Sequence, residues 1–392
     1  MRVKPKHGLT VHADPPNLVS SALFLAVLGL FGIATFVDML EGPGTPREEV
    51  DTPTPSPPTS LAALKAYPSD AKAYLRSRYF GKQTFVNLNG LVKFDVFGRS
   101  PYPDVLLGRD GFLFLGRDEA LRSIQALEEM TPERADGWRK YFSTVQTFAH
   151  EVGIPYLAMF APDKGQVYPE ALPGWLRASR SPKRYVDALR GVAAEKLDRA
   201  PVDLLAVLGD LREQRPEWRL FHRLDTHWTE VAGAAAVDAT LGPEGWLEGV
   251  PPFEVIENQL SPGGDLARMI GFEDRLDEVV PKVVRAPKLT CYRPNGEVME
   301  LVTKDPVQVD GYRCENPDAP RGTLLFIGRS FSVGAMVRLT QIFKVVDVRW
   351  QSWFEFARVE QIQPELIIQM FVERRVGMVS GPELLEPEGG DW

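Results

Sequence analysis

Between residues 131 and 375 the sequence switches repeatedly between two hydrophobic periods, and this alternation restricts the fold more than any other feature. "TPERADGWRKYFSTVQTFAHEVG" (131–153) opens on a capping threonine and a proline, then repeats apolar residues at helical spacing. It runs directly into "IPYLAMFAP" (154–162), a short apolar run of the kind a buried strand requires. Residues 182–199 are helical in pattern, "PVDLLAV" (201–207) begins like another strand, and 228–241 reads as an alanine-rich helix. "GTLLFIG" (322–328) reads as a strand and "SVGAMVRLTQIF" after it as a helix; "KVVDVRW" and "ELIIQMFV" complete the series. Apolar strands separated by helices predict an α/β fold built on a parallel sheet with helices on both faces. Ligands of such sheets bind at the carboxyl ends of the strands. Residues 246–321 break the rhythm with Pro, Gly and charged residues, and are expected to form an insertion or lid region. No internal repeat is evident.

The N-terminal part obeys a different rule. Residues 18–37, "LVSSALFLAVLGLFGIATFV", carry no charge, and as a helix they are long enough to cross a hydrocarbon core of roughly 30 Å. A removed signal peptide would have a shorter apolar stretch and a small-residue cleavage site, so an uncleaved, single-pass transmembrane anchor is the reading adopted. Arg2, Lys4 and Lys6 precede this segment, while Asp38, Glu41, Glu48, Glu49 and Asp51 follow it. The positive-inside rule then keeps residues 1–17 in the cytoplasm and exports the rest. Residues 38–60, rich in Pro, Thr and Ser, are expected to be a linker that holds the folded part, 61–392, away from the bilayer. Cys291 and Cys314, the only cysteines, lie in the exported part and suit either a disulfide or two buried thiols. A net charge of -8 without a long basic run argues against a nucleic-acid partner.

Three of the five histidines lie beyond the apolar segment: His150, His222 and His227. His150 sits in a helical pattern and suits a surface position, and a packed role is the default for His222. In "LDTHWTEVAG" (224–233) Asp225 stands two residues before His227, just ahead of the alanine-rich helix. A neutral imidazole can take a serine proton when its other nitrogen donates to a carboxylate, so this pair suits general-base catalysis. It also suits a helix start capped by Asp225 or Thr226, and both roles are compatible. Ser330 follows the strand 322–328 and precedes a helix, where backbone N–H groups and the helix dipole can stabilise an oxyanion. Capping is the ordinary role of a serine there. Asp225, His222 and His227 have no further ligands at a familiar metal spacing, so neither a metal nor another cofactor is expected.

Taken in order, "GRDGFLFL" (108–115), "APDKGQVYPE" (161–170), "DTHW", "GGDL" (263–266), the Gly-x-Ser-Phe-Ser run at 328–332 and "VERR" (372–375) resemble the AlgX and AlgJ type of SGNH-hydrolase-like O-acetyltransferase. The resemblance covers roughly residues 100–376 and implies an SGNH-hydrolase-like (flavodoxin-like) sheet. It also implies Ser330 as nucleophile, His227 as base and Asp225 as the residue that orients it. Arg329 stands where the family usually has aspartate, a departure that alters the electrostatics beside the serine or attracts an anionic substrate. With Lys164, Tyr168 and Asp265, it completes the set of candidate substrate-binding residues.

The function so implied is transfer of acetyl groups onto hydroxyls of a bacterial exopolysaccharide such as alginate, through an acetyl-serine intermediate. It is expected in the periplasm, on a chain anchored in the inner membrane by residues 18–37 in the AlgJ layout. The donor partner implied is a membrane-bound O-acyltransferase. Two alternatives remain at this level: a carbohydrate acetyl esterase using the same three residues, and a non-catalytic polysaccharide-binding subunit of a secretion complex.

Overall fold

The computed structural model describes residues 57–60, 65, 67–68, 90–299 and 311–385. Nearly all of these belong to the second of two compact units, residues 93–392, and the following concerns that unit. A small hairpin, β1 (Val105–Leu107) with β2 (Leu113–Leu115), precedes the long helix α1 (Pro132–Val152). Thr131 caps α1 by accepting from Arg134 N at 3.3 Å, and Gly153, at φ 69°, ends it in the left-handed conformation that glycine adopts without steric cost. The chain then enters strand β3 (Tyr156–Ala161) and continues through helices α2 (Tyr185–Ala194), α3 (Leu204–Gln214) and α4 (Glu230–Leu241).

Strands β4 (Val255–Pro262) and β5 (Asp277–Val283) pair as a separate antiparallel ribbon. Next come β6 (Thr290–Tyr292), β7 (Val298–Met299), β8 (Gly311–Glu315), β9 (Arg321–Ile327), helix α5 (Ser332–Ile342), β10 (Phe343–Arg349), helix α6 (Phe356–Ile362) and β11 (Leu366–Val372). The main sheet has seven strands in the order β3-β11-β9-β10-β8-β6-β7. Its first four are mutually parallel, as the alternation of strand and helix predicts. The other three add on antiparallel.

Side chains alternate across the parallel strands and build a core on each face. Tyr156, Ala158 and Phe160 of β3 and Leu325 and Ile327 of β9 pack against α1 and α2. Leu157, Met159, Leu324 and Phe326 pack on the other face against α3, α4 and α5. Helices α4 and α5 meet at backbone contact. A Cβ on Gly233 would lie 2.4 Å from the Gly334 carbonyl carbon, and one on Gly334 would lie 2.6 Å from the Trp228 ring. Two glycines thereby bring the loop that leads into α4 against the loop that leads into α5.

Two sequence expectations need correction. Residues 201–207 do not begin a strand: Asp203 Oδ1 accepts from Leu205 N and Ala206 N, at 3.1 and 3.3 Å, and so caps α3. Leu204 and Leu208, four residues apart, point into the core, so the apolar run served a helix face. The region 246–321 is not merely an insertion or lid, because it supplies β4, β5 and the antiparallel extension of the main sheet. Its register places Cys291 opposite Cys314, with Cα atoms 4.0 Å apart, and the two form a disulfide between β6 and β8. Among the described residues no helix is long and apolar enough to cross a membrane. The proposed anchor at 18–37, and the linker at 38–60 apart from residues 57–60, lie outside the described residues.

Candidate active site

Three parallel strands deliver three loops to the carboxyl edge of the sheet. β3 leads into Asp163 and Lys164, β9 into Gly328, Arg329 and Ser330, and β11 into Glu373 and Arg374. A fourth loop arrives from the helical layer. Phe221 and Trp228 form an antiparallel bridge, and His222 N donates to His227 O at 3.2 Å, which closes the intervening residues into a tight turn ahead of α4.

Within that turn Asp225 and His227 are in direct contact. Asp225 Oδ1 lies 2.5 Å from His227 Nδ1 and also accepts from His227 N at 2.9 Å. Its other oxygen accepts from Asp265 N at 2.8 Å. Burial opposes ionisation of Asp225, but the adjacent imidazole and these hydrogen bonds outweigh it and hold the carboxyl far below the usual carboxylate range. Burial likewise opposes a charge on His227, and the carboxylates of Asp225 and then Asp265 outweigh it, so the histidine sits above its ordinary value. His227 Nε2 is buried and has no hydrogen-bond partner among the described residues. A ring whose Nδ1 is tied to a carboxylate presents Nε2 as its free basic position.

The turn is held from below by residues expected to touch substrate. Lys164 is 5% exposed, and its Nζ donates to the carbonyls of His222, Arg223 and Asp225 at 3.1, 3.3 and 2.7 Å. Burial lowers its pKa to about 8, against the opposing pull of Asp265, Asp225 and Glu278. The Tyr168 hydroxyl is also directed inward and accepts from Leu220 N at 2.9 Å. In this structure both side chains brace the turn and the residue that leads into it. His222 packs as expected, with Nδ1 3.1 Å from Glu278 Oε1, and Glu278 Oε2 accepts from Arg223 N at 2.8 Å. His150 is exposed, with Nε2 2.6 Å from Asp198.

Asp265 meets the turn as well. Its Oδ1 accepts from Thr226 N at 2.7 Å, Oδ2 accepts from the Thr226 hydroxyl, and Oδ2 lies 3.7 Å from His227 Nδ1. The approach depends on Gly264, since a Cβ there would lie 2.3 Å from the Leu224 carbonyl oxygen. Asp225, His227 and Asp265 gather ligand atoms within 4.8 Å of one another, a spacing that a cation could also bridge. Their oxygens accept from the N–H and O–H donors just described, a pattern that suits a hydrogen-bonded acid–base group.

Ser330 is half-buried three residues beyond the end of β9 and two residues before the start of α5. The next residue, Phe331, joins the two halves of the site. Its ring lies 5.1 Å from the His227 ring, its carbonyl accepts from Trp228 Nε1 at 2.8 Å, and Arg374 sits 5.2 Å above its face. The Ser330 hydroxyl is not in hydrogen-bond contact with His227 Nε2 in this conformation. Such contacts commonly tighten only when substrate is bound. Arg329 is half-buried beside a cationic group: burial, then Arg329 and Arg374, hold Arg375 below the usual arginine range.

Sequence reasoning attached no role to Arg374, although "VERR" was among the family-like motifs. Arg374 Nη1 lies 2.6 Å from Asp163 Oδ1, which joins the ends of β11 and β3. Glu373 accepts from Asp163 N at 3.0 Å, and burial, countered by Arg184 and reinforced by Asp163, pushes its pKa up to about 8. Arg374 and Glu373 also line a cleft of about 350 Å³ with Ser123, Arg134 and Tyr185; Ser330 and His227 are not part of its wall. Glu278 was missed entirely, because it lies in the stretch where the hydrophobic pattern gave no guide.

The family model described as an SGNH hydrolase-like domain, acetyltransferase AlgX, matches residues 105–337, more than half of the chain. The "Probable alginate O-acetylase AlgJ" of Pseudomonas aeruginosa is 27% identical over 186 residues, 46% of this chain and 44% of that protein. Its namesake from Pseudomonas putida is 25% identical over 222 residues, 55% of this chain and 54% of that protein. The chain thus spans about half the length of the curated relatives it matches. The structure of Bacillus cereus PatB1 with a sulfonyl adduct matches with a TM-score of 0.50 at 12% identity, covering 72% of this chain and 98% of that one. At that identity the likeness is one of fold.

Proposed function

Because the chain belongs to the SGNH hydrolase-like AlgX acetyltransferase family, we propose that it is an O-acetyltransferase that esterifies hydroxyls of an exopolysaccharide. Ser330, His227 and Asp225 do the chemistry in this reading. Alginate, the polymer in the names of the curated relatives, is the first acceptor to test.

Ser330 Oγ attacks the acetyl carbonyl of the donor while its proton passes to His227 Nε2, which becomes an imidazolium stabilised by Asp225. The negative charge on the former carbonyl oxygen faces the N-terminal end of α5. Collapse of the tetrahedral species breaks the donor's acyl bond, and His227 returns the proton to the leaving group. A sugar hydroxyl then attacks acetyl-Ser330, gives its proton to His227, and displaces the serine, which recovers that proton. Asp265 N is already committed to Asp225. It is therefore assigned no part in binding the oxyanion.

The observation that carries this reading is the 2.5 Å Asp225–His227 contact, with Nε2 unpartnered among the described residues and the ring packed on the residue after Ser330. Residues 18–37 would anchor the chain in the inner membrane with residues 1–17 in the cytoplasm and the domain in the periplasm. The Cys291–Cys314 disulfide supports such an oxidising location. A membrane-bound O-acyltransferase would deliver the acetyl group from the cytoplasmic thioester pool. The test is polymer acetylation in cells carrying Ser330→Ala or His227→Ala. Loss in both supports the reading, whereas unchanged acetylation transfers the chain to a binding role. Acetate release from acetylated polymer with no transfer to a sugar acceptor would make it an esterase.

A further inference from the structure

We propose that Asp265 is a positioning residue for acyl transfer, a second carboxylate that clasps the Asp225–His227 turn and sets negative charge against the imidazole. The inference rests on the reading of His227 as the base. It replaces the substrate contact expected of Asp265 from sequence.

The two aspartates hold each other's loops reciprocally. Asp225 Oδ2 accepts from Asp265 N at 2.8 Å, and Asp265 Oδ1 accepts from Thr226 N at 2.7 Å. The loops are further tied by Ala267 N, which donates to Leu224 O at 3.1 Å. With both Asp265 oxygens engaged by Thr226, this carboxylate has its hydrogen-bonding directions turned toward the turn. An asparagine would keep one acceptor oxygen for Thr226 N, and its NH2 group could donate to the Thr226 hydroxyl, so the two loops would stay tied. What a carboxylate adds is charge, 3.7 Å from His227 Nδ1.

The charged groups facing His227 are Asp225 on its own turn, Asp265 on the following loop and Arg374 at the end of β11. Lys164 lies beneath the Asp225 carbonyl, with His222 and Glu278 on the far side of the turn. The arginine opposes a charge on the histidine, and Asp265 opposes the arginine. Burial and the nearby Asp225 charge in turn raise Asp265 above the usual carboxylate range, so holding a second carboxylate here has a cost.

The experiment uses the full-length chain and its Ser330-dependent hydrolysis of a chromogenic acetyl ester, followed against pH. Asp265→Asn keeps the backbone N–H and one acceptor oxygen, turns an NH2 donor toward the Thr226 hydroxyl, and removes the charge. The acid limb, where His227 loses activity by protonation, is expected to move to lower pH by about one unit, and the plateau to fall about tenfold as the base weakens. A lower plateau with an unmoved limb would reduce Asp265 to a structural clasp and overturn the proposal. With a polysaccharide acceptor added to the same assay, a higher acceptor KM with an unmoved limb would restore the substrate contact and also overturn it. If Asp265→Asn does not fold, Thr226→Val frees Oδ2 for the imidazole. Its acid limb should then move to higher pH, and an unmoved limb refutes the charge effect. Hydrolysis that survives Ser330→Ala and His227→Ala would instead defeat the reading of the whole site, so the two failures are separable.

Discussion

Replacing Asp225 with asparagine is the most informative single perturbation, because the structure shows what each end of the new amide would meet. The carboxylate accepts three hydrogen bonds: from His227 Nδ1 at 2.5 Å, from His227 N at 2.9 Å and from Asp265 N at 2.8 Å. With the amide oxygen kept on His227, the NH2 group meets Asp265 N–H, leaving a buried donor unpaired at about 1–3 kcal/mol. With the amide flipped, Asp265 is satisfied, but the NH2 group faces Nδ1 and forces the proton onto Nε2. That tautomer cannot accept the Ser330 proton. Loss of the carboxylate from a Ser-His-Asp triad costs about 10⁴ in kcat, equivalent to about 5 kcal/mol of barrier. Asp225→Asn is therefore expected to fold with slightly reduced thermal stability and to hydrolyse a chromogenic acetyl ester about 10⁴-fold more slowly. A kcat within about tenfold of the parent, in a folded protein, would refute Asp225 as the residue that sets the tautomer.

Other consequences can be checked with the same assay. His227 must be neutral to act and its pKa is raised above 6.5, so activity should fall as pH drops through a value above 6.5; an acid limb below that would contradict the assigned environment. Lys164→Met leaves three carbonyls of the turn without their donor and should lower stability by about 2 kcal/mol in denaturant titration, with a larger proportional loss of kcat; unchanged values for both would show that the lysine does not hold the turn. Gly264→Ala should separate the Asp265 loop from the Asp225 turn, since its Cβ would lie 2.3 Å from the Leu224 carbonyl oxygen. A fall in kcat with little change in the KM for the ester is expected, and full activity would show that the contact is dispensable.

The parallel half of the fold was legible because β3, β9 and β11 are buried on both faces, and such strands read as unbroken apolar runs. The antiparallel half was not. β6 and β7 are three and two residues long, too short for a period to register against noise. "PVDLLAV" misled for a related reason: Leu204 and Leu205 are adjacent, and only the capping Asp203 separates a helix start from a strand. At the site, the Asp-x-His spacing disclosed a contact that a short turn can make by itself. The roles of Lys164, Tyr168 and Asp265 were hidden because sequence gives a polar residue's loop and not its direction. Arg374, Phe331 and Glu278 come from strand ends and hairpins distant in the chain, and only tertiary structure brings them to the turn.

In the proposed reaction Ser330 carries the acetyl group between donor and acceptor. The direct measurement is mass spectrometry of the full-length chain quenched during turnover of an acetyl ester, with peptide mapping. One added acetyl group is expected on the peptide containing Ser330, absent from Ser330→Ala and discharged when a polysaccharide acceptor is added. Undiminished acetyl transfer by Ser330→Ala, or acetylation at another residue that the acceptor discharges, would contradict it.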